Sequence, residues 1–145
     1  MKPPLRMAML IAVAALAACA VLRSGEESAT VTGRATYRET SVVPSGSVLW
    51  VQLLDVSRQD VHAELISETM IPLEGRQPPI EFRLAYRQEA IKPSRTYAVR
   101  AAIKFGERPL LTSTESYPVL TRGAPSDVSV HLHPVRARDS GRNER

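Results

Sequence analysis

The sequence predicts an all-β protein: a single β-sandwich of about seven to eight short antiparallel strands, following a cleaved lipoprotein signal peptide. Three observations lead there. Apolar residues recur at every second position through the body of the chain, not at the helical period. Seven such runs are separated by turn-forming residues. No amphipathic helix of ordinary length interrupts them. With one apolar face per strand, the simplest burial is two sheets packed face to face.

Residues 1–18 form the expected signal peptide. Lys2 and Arg6 make a charged start, and Met7 to Ala18 are twelve uncharged, largely apolar positions. That run has the length of a signal-peptide core and falls short of the ~20 residues a spanning helix needs. It closes on Leu16, Ala17, Ala18 and Cys19, a lipobox pattern. Small residues before the cysteine suit a signal peptidase, and the thiolate accepts a diacylglycerol thioether. Cys19 is the chain's one cysteine, which excludes a disulfide framework and a cysteine-rich metal or cluster site. The expected covalent groups are diacylglycerol and an N-acyl lipid on Cys19, with no dissociable cofactor. Several acyl chains hold a protein on a bilayer far better than one. Ala20 stands where the Gram-negative sorting rule reads aspartate as inner-membrane retention. The expected location is therefore the periplasmic face of the outer membrane. Residues 19–27 read as a tether, reaching about 15–18 Å as flexible chain.

The domain is expected over 28–135. Val31, Gly33, Ala35 and Tyr37 alternate with Thr32, Arg34, Thr36 and Arg38. Over Ser47 to Asp55, Leu49, Val51 and Leu53 share one face while Val48, Trp50, Gln52 and Leu54 share the other. Ala63, Leu65, Ser67, Thr69 and Ile71 alternate with His62, Glu64, Ile66, Glu68 and Met70. Ile80, Phe82 and Leu84 follow, then Tyr97, Val99, Ala101 and Ile103, each series alternating with polar or small residues. Gln88 to Ile91 has room for one helical turn before Pro93. Leu110 to Val119 reads as one strand interrupted at Pro118, because proline fits only an edge or a bulge. Val128, Val130 and Leu132 alternate with Ser129, His131 and His133. Residues 136–145 form a basic tail with almost no apolar residue and are expected to be disordered.

The formal charge of +4 lies mostly at the two ends. From Ser28 to Pro134 there are 12 basic and 11 acidic residues, so the body is near neutral. With only 5% aromatics to stack bases, a nucleic-acid groove is not expected.

The ordered series Val31-Thr32-Gly33, Tyr37-Arg38-Glu39, Val51 to Ser57, Pro79 to Phe82, Tyr97 to Ala101 and Thr114 to Val119 resembles the YbaY/YscW-type lipoprotein family. The resemblance covers roughly residues 28–134. It implies a small lipidated β-sandwich. The family's best-understood branch consists of pilotins, lipoproteins that escort or help assemble secretin rings of type III secretion in the outer membrane. The run Leu53-Leu54-Asp55-Val56-Ser57, with Tyr117-Pro118-Val119-Leu120-Thr121 after it, looks more like the uncharacterised YbaY branch. Expected partners are the bilayer, through acyl chains, and a secretin-like or other envelope protein.

Trp50, Val48 and Leu54 are the candidate partner-contact residues, because an outward tryptophan among aliphatics marks a contact surface. The opposite register would bury Trp50 between the sheets. His131 and His133, at i and i+2 in a strand, project from one face and could offer two imidazoles to a metal, with His62 as a third. The alternative is two solvent-facing histidines, and no metal site is expected. Asp55, Asp127, Glu39, Glu64, Glu68 and Glu115 supply carboxylates, but no spacing pairs any two of them. There is no Gly-x-Ser-x-Gly and no glycine-rich phosphate loop, so no catalytic residue is assigned and an enzyme is not expected. The reading is a contact protein, pilotin-like or an envelope assembly factor. The alternatives are a periplasmic small-ligand or metal-binding module and, behind it, a hydrolase.

Overall fold

A computed structural model describes residues 27–136. The signal peptide, the lipobox with Cys19, Ala20 and the tail from 137 lie outside the described residues. The chain forms β1 (Ser28–Thr36), β2 (Val48–Asp55), β3 (Glu64–Pro72), β4 (Ile80–Arg87), β5 (Tyr97–Phe105), β6 (Arg108–Ser113), β7 (Tyr117–Val119) and β8 (Asp127–Pro134), with one 3-10 turn at Gln88–Ala90. The protein is all-β, as its period-two pattern requires.

The strands follow the order β3-β2-β5-β6-β8-β1-β4, and β7 pairs with β5 beside β6. β8 is the corner. It runs parallel to β1 from Asp127 to His131, then antiparallel to β6 from Leu132 to Pro134. The two packed layers are therefore one curled sheet. The edge strands β3 and β4 meet where the Ser67 hydroxyl donates to the Ala85 carbonyl at 2.5 Å, which nearly closes a barrel. Antiparallel pairing was expected throughout; the β1–β8 pair is the one parallel exception.

Inside lie the residues the alternation puts there. Val31, Ala35, Leu49, Val51, Leu53, Leu84, Ile103 and Val130 are each 0% exposed. Burying one such side chain contributes about 1.5–3 kcal/mol. Gly33 continues the inner row of β1 opposite Phe82, whose ring occupies the space a side chain would fill. A Cβ on Gly33 would stand 2.6 Å from Phe82 Cζ and press on the Val128 carbonyl oxygen.

Three details differ from the sequence reading. Opposite the Leu53/Leu54 step the register of β3 shifts, so that Leu53 pairs with Ser67 and Leu54 with Leu65. The extra residue, Ile66, packs on the core, while Leu65 turns out and is 47% exposed. The expected single strand over 110–119 is two strands broken at 114–116 rather than at Pro118. Pro118 lies exposed in β7, which among the described residues pairs with β5 alone, an edge position where a missing N–H costs no ladder bond.

Strand directions give the domain two ends. Ser28, Arg87, Tyr97 and Asp55 share one, since Ser28 pairs with Arg87 and Asp55 with Tyr97. Thr36, Val48, Phe105 and Pro134 share the other. β1 begins at the first end and β8 finishes at the second.

Candidate functional site

Trp50 lies on the outer face of β2, half-buried, while its neighbours Leu49 and Val51 point into the core. Across the sheet it is in register with Met70 of β3 and Ala102 of β5. Met70 is 62% exposed. The Lys104 ammonium sits over the indole ring, 3.3 Å from its centroid, where the negative face of the ring attracts it. The indole Nε1 donates to Glu68 Oε2 at 2.8 Å, and Gln52 Nε2 donates to the same oxygen at 3.3 Å. Val48, half-buried, is in register with Pro72 and Lys104. The result is an outer apolar strip of Val48, Trp50, Met70 and Pro72 with an acid and a base fixed at its centre.

Leu54 does not belong to that strip. It is 5% exposed and in register with Ala98, itself 6% exposed. The β3 bulge falls beside it, and its surface is used up by packing rather than offered to a partner.

Asp55 closes β2 at the end of the domain where β1 begins. It is 6% exposed. Its Oδ1 accepts the Ser57 backbone N–H at 2.9 Å, and its Oδ2 accepts Arg95 Nη1 at 2.6 Å. Ser57 Oγ in turn accepts the Thr96 N–H at 2.8 Å, and Thr121 donates its hydroxyl to the Arg95 carbonyl at 2.7 Å. Burial pushes the Asp55 carboxyl up, but the hydrogen bonds from Ser57 and Arg95 and the Arg95 charge outweigh it and hold the group below its ordinary value. The same pair raises Arg95 above its ordinary value. The Leu-Leu-Asp-Val-Ser run thus pins the loop before β5 to the end of β2. The Tyr-Pro-Val run does similar work: His131 N–H donates to the Tyr117 hydroxyl at 3.0 Å, tying β8 to β7.

The remaining carboxylates are spread out. Asp127 accepts the Thr32 hydroxyl at 2.8 Å on the outer face of β1 and β8, Glu64 lies 3.6 Å from Arg95, and Glu68 serves Trp50. Glu39 follows β1 in the turn. His131 and His133 are both exposed on β8, as their spacing requires, and His62 sits exposed in the β2–β3 loop at the end where β1 begins. Among the described residues, no group of three or more His, Cys, Asp or Glu side chains comes together.

The histidines instead line an open cleft of about 930 Å³ at the end of β1 opposite Ser28. It forms where β1 leaves β8 after Thr36 and turns through Tyr37 and Arg38, facing Leu132 to Pro134 and Arg136. Glu115 is its one carboxylate. The Thr36 hydroxyl lies 2.8 Å from His131 Nδ1 and orients that ring. Burial raises the Tyr37 hydroxyl above its ordinary value. The sequence reading missed this cleft, because only the parallel β1–β8 register brings Arg38 beside the histidines. It also missed Lys104 and Glu68 as partners of Trp50, though an outward Trp50 directs attention to the outer faces of its neighbouring strands.

Residues 26–132 match the family described as type III secretion system lipoprotein chaperone (YscW). The uncharacterised lipoprotein YbaY of Escherichia coli is 26% identical over 106 residues, 73% of this chain and 55% of that one. The chain therefore spans about half the length of this curated relative. An alternative pilotin from the type II secretion system of Vibrio cholerae matches with a TM-score of 0.72 and 33% identity, over 76% of this chain and 99% of that one.

Proposed function

Because the chain belongs to the YscW family of type III secretion lipoprotein chaperones, we propose that it is a lipid-anchored, pilotin-like factor. It sits on the periplasmic face of the outer membrane and works by contact with an envelope protein of the secretin class. The observation that carries this reading is the likeness to the Vibrio cholerae pilotin, which takes in 99% of that chain. Cys19 supplies the anchor and Ala20 the outer-membrane address. The strip around Trp50 is the contact surface, since a half-buried tryptophan held by side-chain partners is a preorganised anchor for a partner. The activity is binding rather than catalysis: Asp55, the most buried of the carboxylates singled out, serves the fold through Ser57 and Arg95.

The test is deletion of the gene in its host, followed by membrane fractionation and blotting for each secretin. Loss of secretin multimers from the outer membrane, restored by the wild-type chain but not by Cys19→Ser, supports the reading. Unchanged multimers overturn it.

A further inference from the structure

The cleft beside β8 is unusual within this molecule. The body as a whole is balanced, 12 basic against 11 acidic residues, yet among the described residues the cleft gathers Arg38, Arg136, His131 and His133 against Glu115 alone. No carboxylate stands within ion-pairing distance of Arg38 or Arg136 among the described residues. Arg34, by contrast, stands in register with Glu81, and Arg95 holds two acids. With the Thr36 hydroxyl at His131 Nδ1, the Nε2 of that ring has no hydrogen-bond partner among the described residues. Guanidinium forks without a carboxylate suit bidentate recognition of one.

We infer that this cleft receives an acidic, extended segment of a protein partner, with carboxylates on Arg38 and Arg136. The inference rests on the reading that the chain works by protein contact. A volume of about 930 Å³ is at the large end of the range of ligand pockets, more than a lone anion needs. The tail of the same chain is not the occupant: it continues from Arg136 with Arg138, Arg142 and Arg145 against Asp139 and Glu144, and so carries the charge of the cleft itself. The bilayer is not the occupant either. β1 has nine residues and spans roughly 30 Å, and Ser28, its first residue, stands at the opposite end from the cleft. The cleft lies at the far end of β1 from Ser28, the residue that follows the lipidated segment in sequence.

The full-length protein, purified in neutral detergent, is titrated into a fluorescein-labelled peptide of four Glu-Val repeats and followed by anisotropy. Expected is binding that weakens with added salt, at least tenfold loss in the Arg38→Gln, Arg136→Gln double variant, and no change in Arg58→Gln, an exposed arginine of the β2–β3 loop at the opposite end of the domain. Both arginines are exposed, and an unchanged circular-dichroism spectrum certifies the fold of the double variant. Peptide binding within twofold of wild type in the double variant overturns the inference, as does equal binding of a Lys-Val repeat. If short-chain phosphatidylglycerol or inorganic phosphate binds with the same arginine dependence while the acidic peptide does not, the cleft is a headgroup or phosphate site and the inference falls. Secretin multimers unaffected by gene deletion, with peptide binding retained, remove the pilotin role and leave the cleft standing.

Discussion

The Lys104 ammonium lies 3.3 Å from the centroid of the Trp50 ring, on the outside of the sheet. With Glu68 on the indole nitrogen, the lone tryptophan of the chain is fixed between an acid and a base while part of it stays in contact with water.

Trp50→Ala should therefore cost the isolated domain only about 1–2.5 kcal/mol, the scale of an exposed cation–π contact plus one surface hydrogen bond. A core tryptophan would cost about 3–5 kcal/mol. Partner capture should weaken by about 2 kcal/mol or more. Intrinsic fluorescence of the wild type checks the placement first: emission should be red-shifted and quenched by acrylamide. Urea denaturation of the variant then measures the cost.

Gly33→Ala should destabilise by about 1–3 kcal/mol, the usual cost of overpacking. Phe82 could swing aside, but the Val128 carbonyl belongs to the backbone of β8 and cannot. The pair with Phe82→Leu makes a useful check. If the side chain were the obstacle the second change would restore stability; the backbone contact predicts only partial recovery in thermal denaturation.

Asp55→Asn should cost about 1–2 kcal/mol. Charge-assisted hydrogen bonds are worth more, roughly 1.5–3 kcal/mol, but Arg95 is 41% exposed and recovers hydration. The pH dependence follows from the sign. The folded carboxyl lies below its ordinary value of 3.8, so its contribution is complete above that value and is lost as pH falls through the folded value. Wild type should lose stability below about pH 4 more steeply than the asparagine variant, which a urea midpoint series from pH 7 to pH 3 will show.

Cys19→Ser should abolish lipidation and leave the precursor uncleaved, because a hydroxyl is a far poorer nucleophile than a thiolate. Metabolic labelling with a palmitate analogue reads this directly, and equal label in both proteins would remove the anchor. Ala20→Asp should keep the label and move the protein toward the inner membrane on a sucrose gradient.

The sequence discloses faces better than connections. Leu49, Val51 and Leu53 are buried and Trp50 is turned out because a strand imposes a period of two on its own side chains. The same rule fails at Leu65 because one extra residue, Ile66, resets the alternation, and nothing in the local composition marks a bulge. It fails at Leu54 because burial on an outer face depends on neighbours from other strands. His131 and His133 are correctly placed on one face, but their cleft depends on the turn of β1 after Thr36, which is a matter of topology. Asp55 was legible as a carboxylate and not as a fastener, since its partner Arg95 lies 40 residues away.

The first and last strands of the domain are bonded to each other: Thr32 and Asp127 are joined across 95 positions. A chain emerging N-terminus first holds β1 without its parallel neighbour until the final stretch appears. At about 5–20 residues per second of synthesis, that wait is on the order of 5–20 seconds. Contacts this remote in sequence also form slowly once the chain is complete. Any event at the N-terminus in that interval acts on an open polymer whose first strand still lacks its parallel neighbour.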